Sequence, residues 1–127
     1  MTYSSATDVK DRVGIANIPS AITDSMIFIY IEGSDAYIDD RTQSTFAASY
    51  TEGSEDNNVN RGIREISILL SAAKLRRRLA GTGKNYKLGD LSVGKKELLA
   101  LAQTDDMEAE RMLVEKPVAV RIKLTNE

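Results

Sequence analysis

Apolar residues recur at intervals of three and four along two long stretches of the chain, and this spacing predicts two helices. The first helix begins near Asn60 and ends at Gly81, a residue type that commonly terminates helices. The second runs from Lys95 to Glu115, and Pro117 is expected to stop it. Within the second helix, the adjacent carboxylates Asp105-Asp106 are interpreted as belonging to a solvated helix end.

The N-terminal region has the pattern of a short helix. Ser5 is followed three residues later by Asp8, which is the spacing of a capping box. The helix is predicted to reach Val13 and to end at Gly14. Further along, Ser20 is predicted to cap a second helix.

The segment from 26 to 38 supports two interpretations. Its apolar positions continue at helical spacing beyond Gly33, which favours a helix. The alternative is a hairpin, because the run Met26–Ile31 is rich in strand-forming residues and the next four residues resemble a turn. As a helix, this run would be apolar on every side. One face would meet the core, and the other would need a second cover, which we expect from another subunit.

Between Gly81 and Gly94 the pattern changes to alternation. Apolar residues on either side of Gly89-Asp90 predict a short two-stranded β ribbon over about 86–93. The alternating residues are Tyr86, Leu88, Leu91 and Val93. A two-stranded ribbon is marginally stable alone, so it must lie on another surface.

The last segment, 117–127, is predicted to be an extended tail. One face carries Val118, Val120, Ile122 and Leu124, and the other includes Arg121 and Lys123. The tail either pairs with the ribbon inside one protomer or adds a strand to a neighbour. Together with a loop over 46–60, these patterns predict a mainly α fold: a bundle of about four helices, a short β ribbon and an extended C-terminal tail. We divide it into a helical domain at 1–116 and an arm at 117–127.

The amino-acid composition excludes several classes of function. The 127 residues suffice for one domain, and they include neither cysteine nor histidine. Disulfides, thiolate chemistry and the commonest general base are therefore excluded. The segment Gly81-Thr82-Gly83-Lys84 lacks the spacing of a phosphate-binding loop. We expect a protein that is not an enzyme, that needs no cofactor or metal, and that is cytosolic and unprocessed because no signal or membrane-spanning pattern is present.

Charge is strongly segregated although the net charge is only −2. Residues 1–60 carry three basic side chains against ten acidic ones, whereas residues 74–96 carry eight against one. Such segregation suits a head-to-tail contact between copies or contact with nucleic acid. The candidate DNA-facing residues are Lys74, Arg76, Arg77, Arg78, Lys84 and Lys87. Alternatively, part of this basic run interacts favourably with the negative end of the helix dipole.

A second hypothesis is a small DNA-binding regulator. Residues 7–15 resemble the first helix and turn of a helix-turn-helix motif. The following segment, 22–31, is too apolar for a recognition helix in a groove, and the chain is acidic overall. We therefore treat the regulator as the alternative.

Taken in order, these features resemble a tailed-phage head-tail connector, also called an adaptor or head-completion protein. The resemblance rests on Tyr3–Ile15, on Ile38-Asp39, on the small-residue helix Ile66–Leu75 and on Tyr86–Val93. It implies a ring-forming, generally dodecameric structural subunit of the virion neck, assembled in the host cytoplasm. Such a ring docks on the portal protein, meets the next neck or tail-completion protein and passes viral DNA through its channel without sequence specificity.

The resemblance also implies where the partners bind. The portal would meet the arm through Val118, Val120, Arg121, Ile122, Lys123 and Leu124. The ribbon residues Tyr86, Leu88, Leu91 and Val93, with the loop over 46–60, would meet neighbouring subunits or the next tail component. Phe28 and Tyr30 are added to the subunit interface because the apolar run of the second helix needs a second cover.

Overall fold

The computed structural model describes residues 2–43 and 57–125, with side chains over 2–43 and 62–114. Its elements are α1 (Ala6–Val13), α2 (Asp24–Thr42), α3 (Asn57–Ala80), β1 (Tyr86–Leu88), β2 (Leu91–Val93) and α4 (Lys95–Thr125). The predicted mainly α fold with a two-stranded ribbon is confirmed. Most of the predicted loop over 46–60 lies outside the described residues.

The boundaries of α1 follow from local sequence. The Ser5 hydroxyl accepts a hydrogen bond from the Asp8 N–H at 3.2 Å, and the Asp8 carboxylate accepts one from the Ser5 N–H at 3.0 Å, so the capping box is confirmed. Gly14 ends the helix with φ of 74°. Its left-handed conformation suits glycine, since a Cβ here would also lie 2.9 Å from Leu88 Cδ1.

Helix α2 settles the ambiguity between helix and hairpin. It runs without interruption from Asp24 to Thr42 and buries Ile27, Ile31 and Ile38 along one face. Its N-cap is Thr23, whose hydroxyl accepts from the Met26 N–H at 3.3 Å, so the prediction of Ser20 as the cap was wrong. The residues before the helix form a turn, in which the Ile22 N–H donates to the Pro19 carbonyl.

Helix α3 lies at the centre of the fold and contacts each of the other three helices. Two apolar clusters form along it. The first contains Leu75 and Leu79 with residues of α1, α2 and the ribbon. The second contains Ile66 and Leu69 with Ile38 and residues of α4. Small buried residues of α3, including Ala72 and Ala73, let the neighbouring backbones approach closely.

The ribbon is a hairpin with a two-residue turn. Tyr86 pairs with Val93 and Leu88 with Leu91, and Gly89 in the turn has φ of 64°. Tyr86 and Val93 are buried in the first apolar cluster, and Ile15 forms an isolated bridge with Leu88. The surface that the ribbon needs is therefore supplied largely by its own protomer.

Helix α4 is described to Thr125, so its backbone continues past Pro117, where the sequence predicted an extended segment. Proline fixes φ near −65°, a helical value, but inside a helix it removes one hydrogen bond and its ring clashes with the carbonyl four residues earlier, so it weakens the helix at this point. The difference concerns where the last helix ends and leaves the fold class unchanged. The described sheet has two strands, β1 and β2, so pairing of residues 118–124 with the ribbon inside one protomer is not observed.

Within the described part of the chain, no helix combines the length and the apolar character needed to cross a bilayer.

Candidate interaction surfaces

The basic run at the end of α3 is divided between the interior and the surface. Arg76 is only 6% exposed and forms a salt bridge with Asp105, which is 1% exposed. Arg12 pairs with the same carboxylate at 3.0 Å, and Arg76 Nη2 donates to the Arg12 carbonyl oxygen at 3.1 Å. Burial lowers the pKa of Arg76, while the Asp105 charge opposes that shift.

This buried cluster corrects two predictions. Arg76 is not accessible to DNA phosphates, because its guanidinium group is buried against α4. Asp105 lies inside a continuous helix and is buried, so it does not belong to a solvated helix end. The sequence signal for this was available in part: Asp105 falls between the apolar positions Ala102 and Ala109 on the buried face of α4.

Lys74 and Arg77 line a groove between α2 and α4. Arg77 forms an exposed salt bridge with Asp106. Lys74 is half-buried, and its Nζ donates to the Tyr30 carbonyl oxygen at 3.3 Å. Burial lowers the pKa of Lys74, although the Asp106 and Asp35 charges act in the opposite direction.

The groove itself, which we call the α2–α4 groove, has a volume of about 550 Å³. Gly33 lies in the lining close to Lys74, because a Cβ at that position would lie 3.0 Å from Lys74 Nζ. The remaining lining residues are Ser34, Tyr37, Leu70, Lys74, Arg77, Asp106 and Glu110.

One rim of the groove is fixed by a three-residue polar cluster. Arg41 donates to the Glu110 carboxylate at 2.7 Å and to the Tyr37 hydroxyl at 2.8 Å, while the Tyr37 hydroxyl donates to Glu110. These hydrogen bonds, first that from Tyr37, hold the pKa of Glu110 below its usual value. The two acidic residues that line the groove, Asp106 and Glu110, are thus already paired with arginine.

Large apolar side chains remain exposed on both helices that flank the groove. On α2, Phe28 and Ile29 face solvent, as expected from the six-residue apolar run, whereas Tyr30 is half-buried. On α4, Met107 and Val114 are exposed and line a shallow depression. Contiguous exposed apolar surface commonly marks sites of protein association, and Met107 and Val114 share one such depression.

The four ribbon residues differ in burial according to their position along the ribbon. Tyr86 and Val93, at its base, pack in the core of their own protomer, which corrects their assignment to a subunit interface. Leu88 is half-buried beside Ile15. Leu91 is 68% exposed.

Five basic side chains cluster along the chain from the end of α3 to the start of α4, and we call this region the basic end. Each is exposed, and none forms a salt bridge within the described ranges 2–43 and 62–114. They are Arg78, Lys84, Lys87, Lys95 and Lys96. Of the predicted DNA-facing residues, Arg78, Lys84 and Lys87 therefore lie on an accessible surface.

A buried polar network that the sequence did not predict attaches the N-terminus to the bundle. The Asp35 carboxylate accepts from the Tyr3 N–H at 2.8 Å and from the Ser67 hydroxyl at 2.6 Å. Because Ser67 uses its proton there, Ser4 is the donor in the 2.7 Å bond between the two serines. Asp39 accepts from the Tyr3 hydroxyl. These hydrogen bonds hold the N-terminal segment against α2 and α3.

The α1–α2 pair, which carries the helix-turn-helix resemblance, is joined by residues 14–23, longer than the usual turn of that motif. The arm residues assigned to the portal lie beyond residue 114, outside the described side chains. Among the described residues, no group of three acidic side chains is placed to hold a metal ion. Comparison of the chain with protein-family models, with curated protein sequences and with solved structures finds no match.

Proposed function

We propose that the chain is a structural subunit of a virion neck: a ring-forming head-tail adaptor that docks on the portal and continues the DNA channel toward the tail. The observation that carries the proposal is the set of exposed apolar side chains on a domain whose core is already filled. Ile29, Met107 and Val114 are each more than 60% exposed, although α2 and α4 bury apolar side chains elsewhere. Covering such side chains with partner subunits removes apolar area from water, worth about 25 cal/mol per Å².

The basic end supports the part of the proposal that concerns DNA. Its five cations lie near two acidic residues in sequence, Asp90 and Glu97, so the local charge is positive although the chain is acidic overall. A positive surface attracts the phosphate backbone without reading sequence. This is the behaviour required of a channel through which any genome segment must pass.

The docking function is tested with a candidate portal protein and the arm. The full chain mixed with the portal is expected to give a twelvefold ring in negative-stain images. Deleting residues 117–127 should abolish docking, and circular dichroism and thermal unfolding should show that the α1–α3 bundle remains folded. A folded, truncated chain that docks normally would contradict the role of the arm.

A gel shift with duplex DNA separates the proposal from its alternative. The adaptor should bind weakly, with a steep dependence on salt and no preference among sequences. Tight binding to one sequence in the presence of competitor DNA would instead favour the small DNA-binding regulator.

A further inference from the structure

The ribbon extends beyond the surface that supports it. The four alternating residues lie on one face, because Tyr86 pairs with Val93 and Leu88 with Leu91. Exposure rises along that face from the buried pair Tyr86–Val93 to Leu91, which is 68% exposed. The ribbon tip, defined as Gly89, Asp90 and Leu91, therefore presents a leucine and a carboxylate side by side with little cover from the described part of its own protomer.

The α2–α4 groove offers the complementary chemistry. Its acidic residues Asp106 and Glu110 are paired with Arg77 and Arg41. Lys74, by contrast, has only a neutral carbonyl within hydrogen-bond distance among the described residues. Leu70 and the Tyr37 ring add apolar surface to the lining.

The negative charges that act on Lys74 from inside the protomer are already engaged. Asp106 pairs with Arg77, and Asp35 accepts hydrogen bonds from the Tyr3 N–H and the Ser67 hydroxyl. A further carboxylate entering the groove would therefore find a half-buried ammonium group without a close anionic partner in the described ranges.

We propose that the ribbon tip of one copy seats in the α2–α4 groove of the next copy. Asp90 pairs there with Lys74, and Leu91 packs against Leu70 and the Tyr37 ring. The groove, at about 550 Å³, has room for these side chains.

This contact is heterologous, because the tip and the groove are different surfaces of the same chain. Heterologous contacts generate rings when the rotation between copies closes, so the inference rests on the proposed function and supplies one contact for the ring. It also gives Lys74 a close negative partner.

Cross-linking between two engineered cysteines tests the contact directly, since the natural chain contains none. Ser92→Cys marks the ribbon beside the tip, and Met107→Cys marks α4 beside Asp106 at the groove rim; both positions are exposed. Neither substitution removes a residue of the proposed contact. The two variants, carried by separately tagged chains, are mixed with a short bis-maleimide reagent, and we expect the mixed dimer in large excess over either homodimer.

The matched control replaces the ribbon variant with Leu99→Cys, an exposed leucine outside both surfaces. This control has the same number of reactive thiols, so it measures cross-linking by random collision. Equal yields for the two mixtures, or no mixed dimer in either, would overturn the proposal.

The pairing chemistry is tested by a second change in the ribbon variant. Adding Asp90→Lys or Leu91→Ser should lower the yield of mixed dimer about tenfold, which corresponds to about 1.4 kcal/mol. Both changes lie at exposed positions, so the fold should be unaffected, and circular dichroism checks this. An unchanged yield with both variants would contradict the proposed pairing.

The outcome is separable from that of the portal experiment. Cross-linking between tip and groove without docking on a portal would leave the contact standing and contradict the adaptor function. A portal-bound ring without this cross-link would leave the adaptor function standing and overturn the contact.

Discussion

Asp105 neutralises Arg76 inside the bundle, and it also receives Arg12 from α1. Three elements, α1, α3 and α4, are thus joined through a single side chain. Taking charges out of water is costly, so such a cluster is tolerated because each charge has a close partner of opposite sign. Removing Asp105, the shared partner, should therefore destabilise the fold much more than removing one partner of a surface salt bridge.

We therefore expect Asp105→Ala to lower the free energy of unfolding by about 3–5 kcal/mol, because Arg76 is left buried and uncompensated. The neighbouring Asp106→Ala breaks an exposed pair with Arg77 and should cost at most about 1 kcal/mol. Urea denaturation of both variants measures the difference. Similar losses of unfolding free energy in the two variants would contradict a larger contribution of the buried cluster to stability.

Asp35 gives a prediction about pH. Burial, with a smaller contribution from the Asp39 charge, raises the pKa of Asp35 above 3.8 despite its hydrogen bonds from Ser67 and Tyr3. A folded-state pKa above the unfolded value means that ionisation is less favourable in the folded protein, so this contribution to stability is lost as pH rises through the folded pKa. The unfolding free energy of the natural chain, measured relative to Asp35→Asn, should therefore decrease as pH rises above 3.8. An increase over that range would contradict the assignment.

At the scale of elements, the ends of α1 depend on neighbouring residues, and for that reason they could be predicted from sequence. Ser5→Ala should lower the free energy of unfolding by about 1 kcal/mol, since the N-cap hydroxyl is lost. Ser20→Ala is the matched control, because Ser20 is exposed and Thr23 is the actual cap of α2. Thermal or urea unfolding distinguishes the two. A larger loss for Ser20→Ala would contradict the assigned caps.

The long helices were predictable because their apolar periodicity is strong, and α2 shows why periodicity outweighed a turn-like sequence. Gly33 costs about 1 kcal/mol relative to alanine inside a helix. The packing of Ile27, Ile31 and Ile38 offsets that cost, and the missing Cβ leaves room for Lys74. A single glycine therefore did not break the element.

The candidate surfaces were less predictable, because they depend on pairs that are distant in sequence. Nothing in the local pattern distinguishes Arg76 from Arg77, yet one is buried against Asp105 and the other pairs at the surface with Asp106. Likewise, alternation identified the ribbon but not the depth of each residue, so Tyr86 and Leu91 received the same role. Tyr86 is buried because it lies at the base of the ribbon, whereas Leu91 is exposed because the tip extends beyond the surface of the domain.

At the scale of the whole molecule, the segregation of charge along the sequence survives folding only in part. Arg76 and Arg12 share the Asp105 carboxylate of α4 and Arg77 pairs with Asp106, whereas the basic end has no salt bridge within the described ranges. The positive surface is therefore smaller than the sequence suggested and is confined to the end of α3, the ribbon and the start of α4. Any electrostatic contact with DNA should depend on this end.

The salt dependence of DNA binding tests that conclusion. The slope of log K against log salt concentration changes by about 0.9 for each phosphate contact. The double variant Lys84→Gln with Lys96→Gln should therefore reduce the slope by about 2 if both lysines contact phosphates. The control, Lys10→Gln with Arg111→Gln, removes the same formal charge at residues that pair with Asp24 and Glu108. Fluorescence anisotropy with a nonspecific duplex measures both. If the two double variants reduce the slope equally, only net charge matters and the basic end has no specific role, whereas a loss confined to the first variant locates the DNA-facing surface.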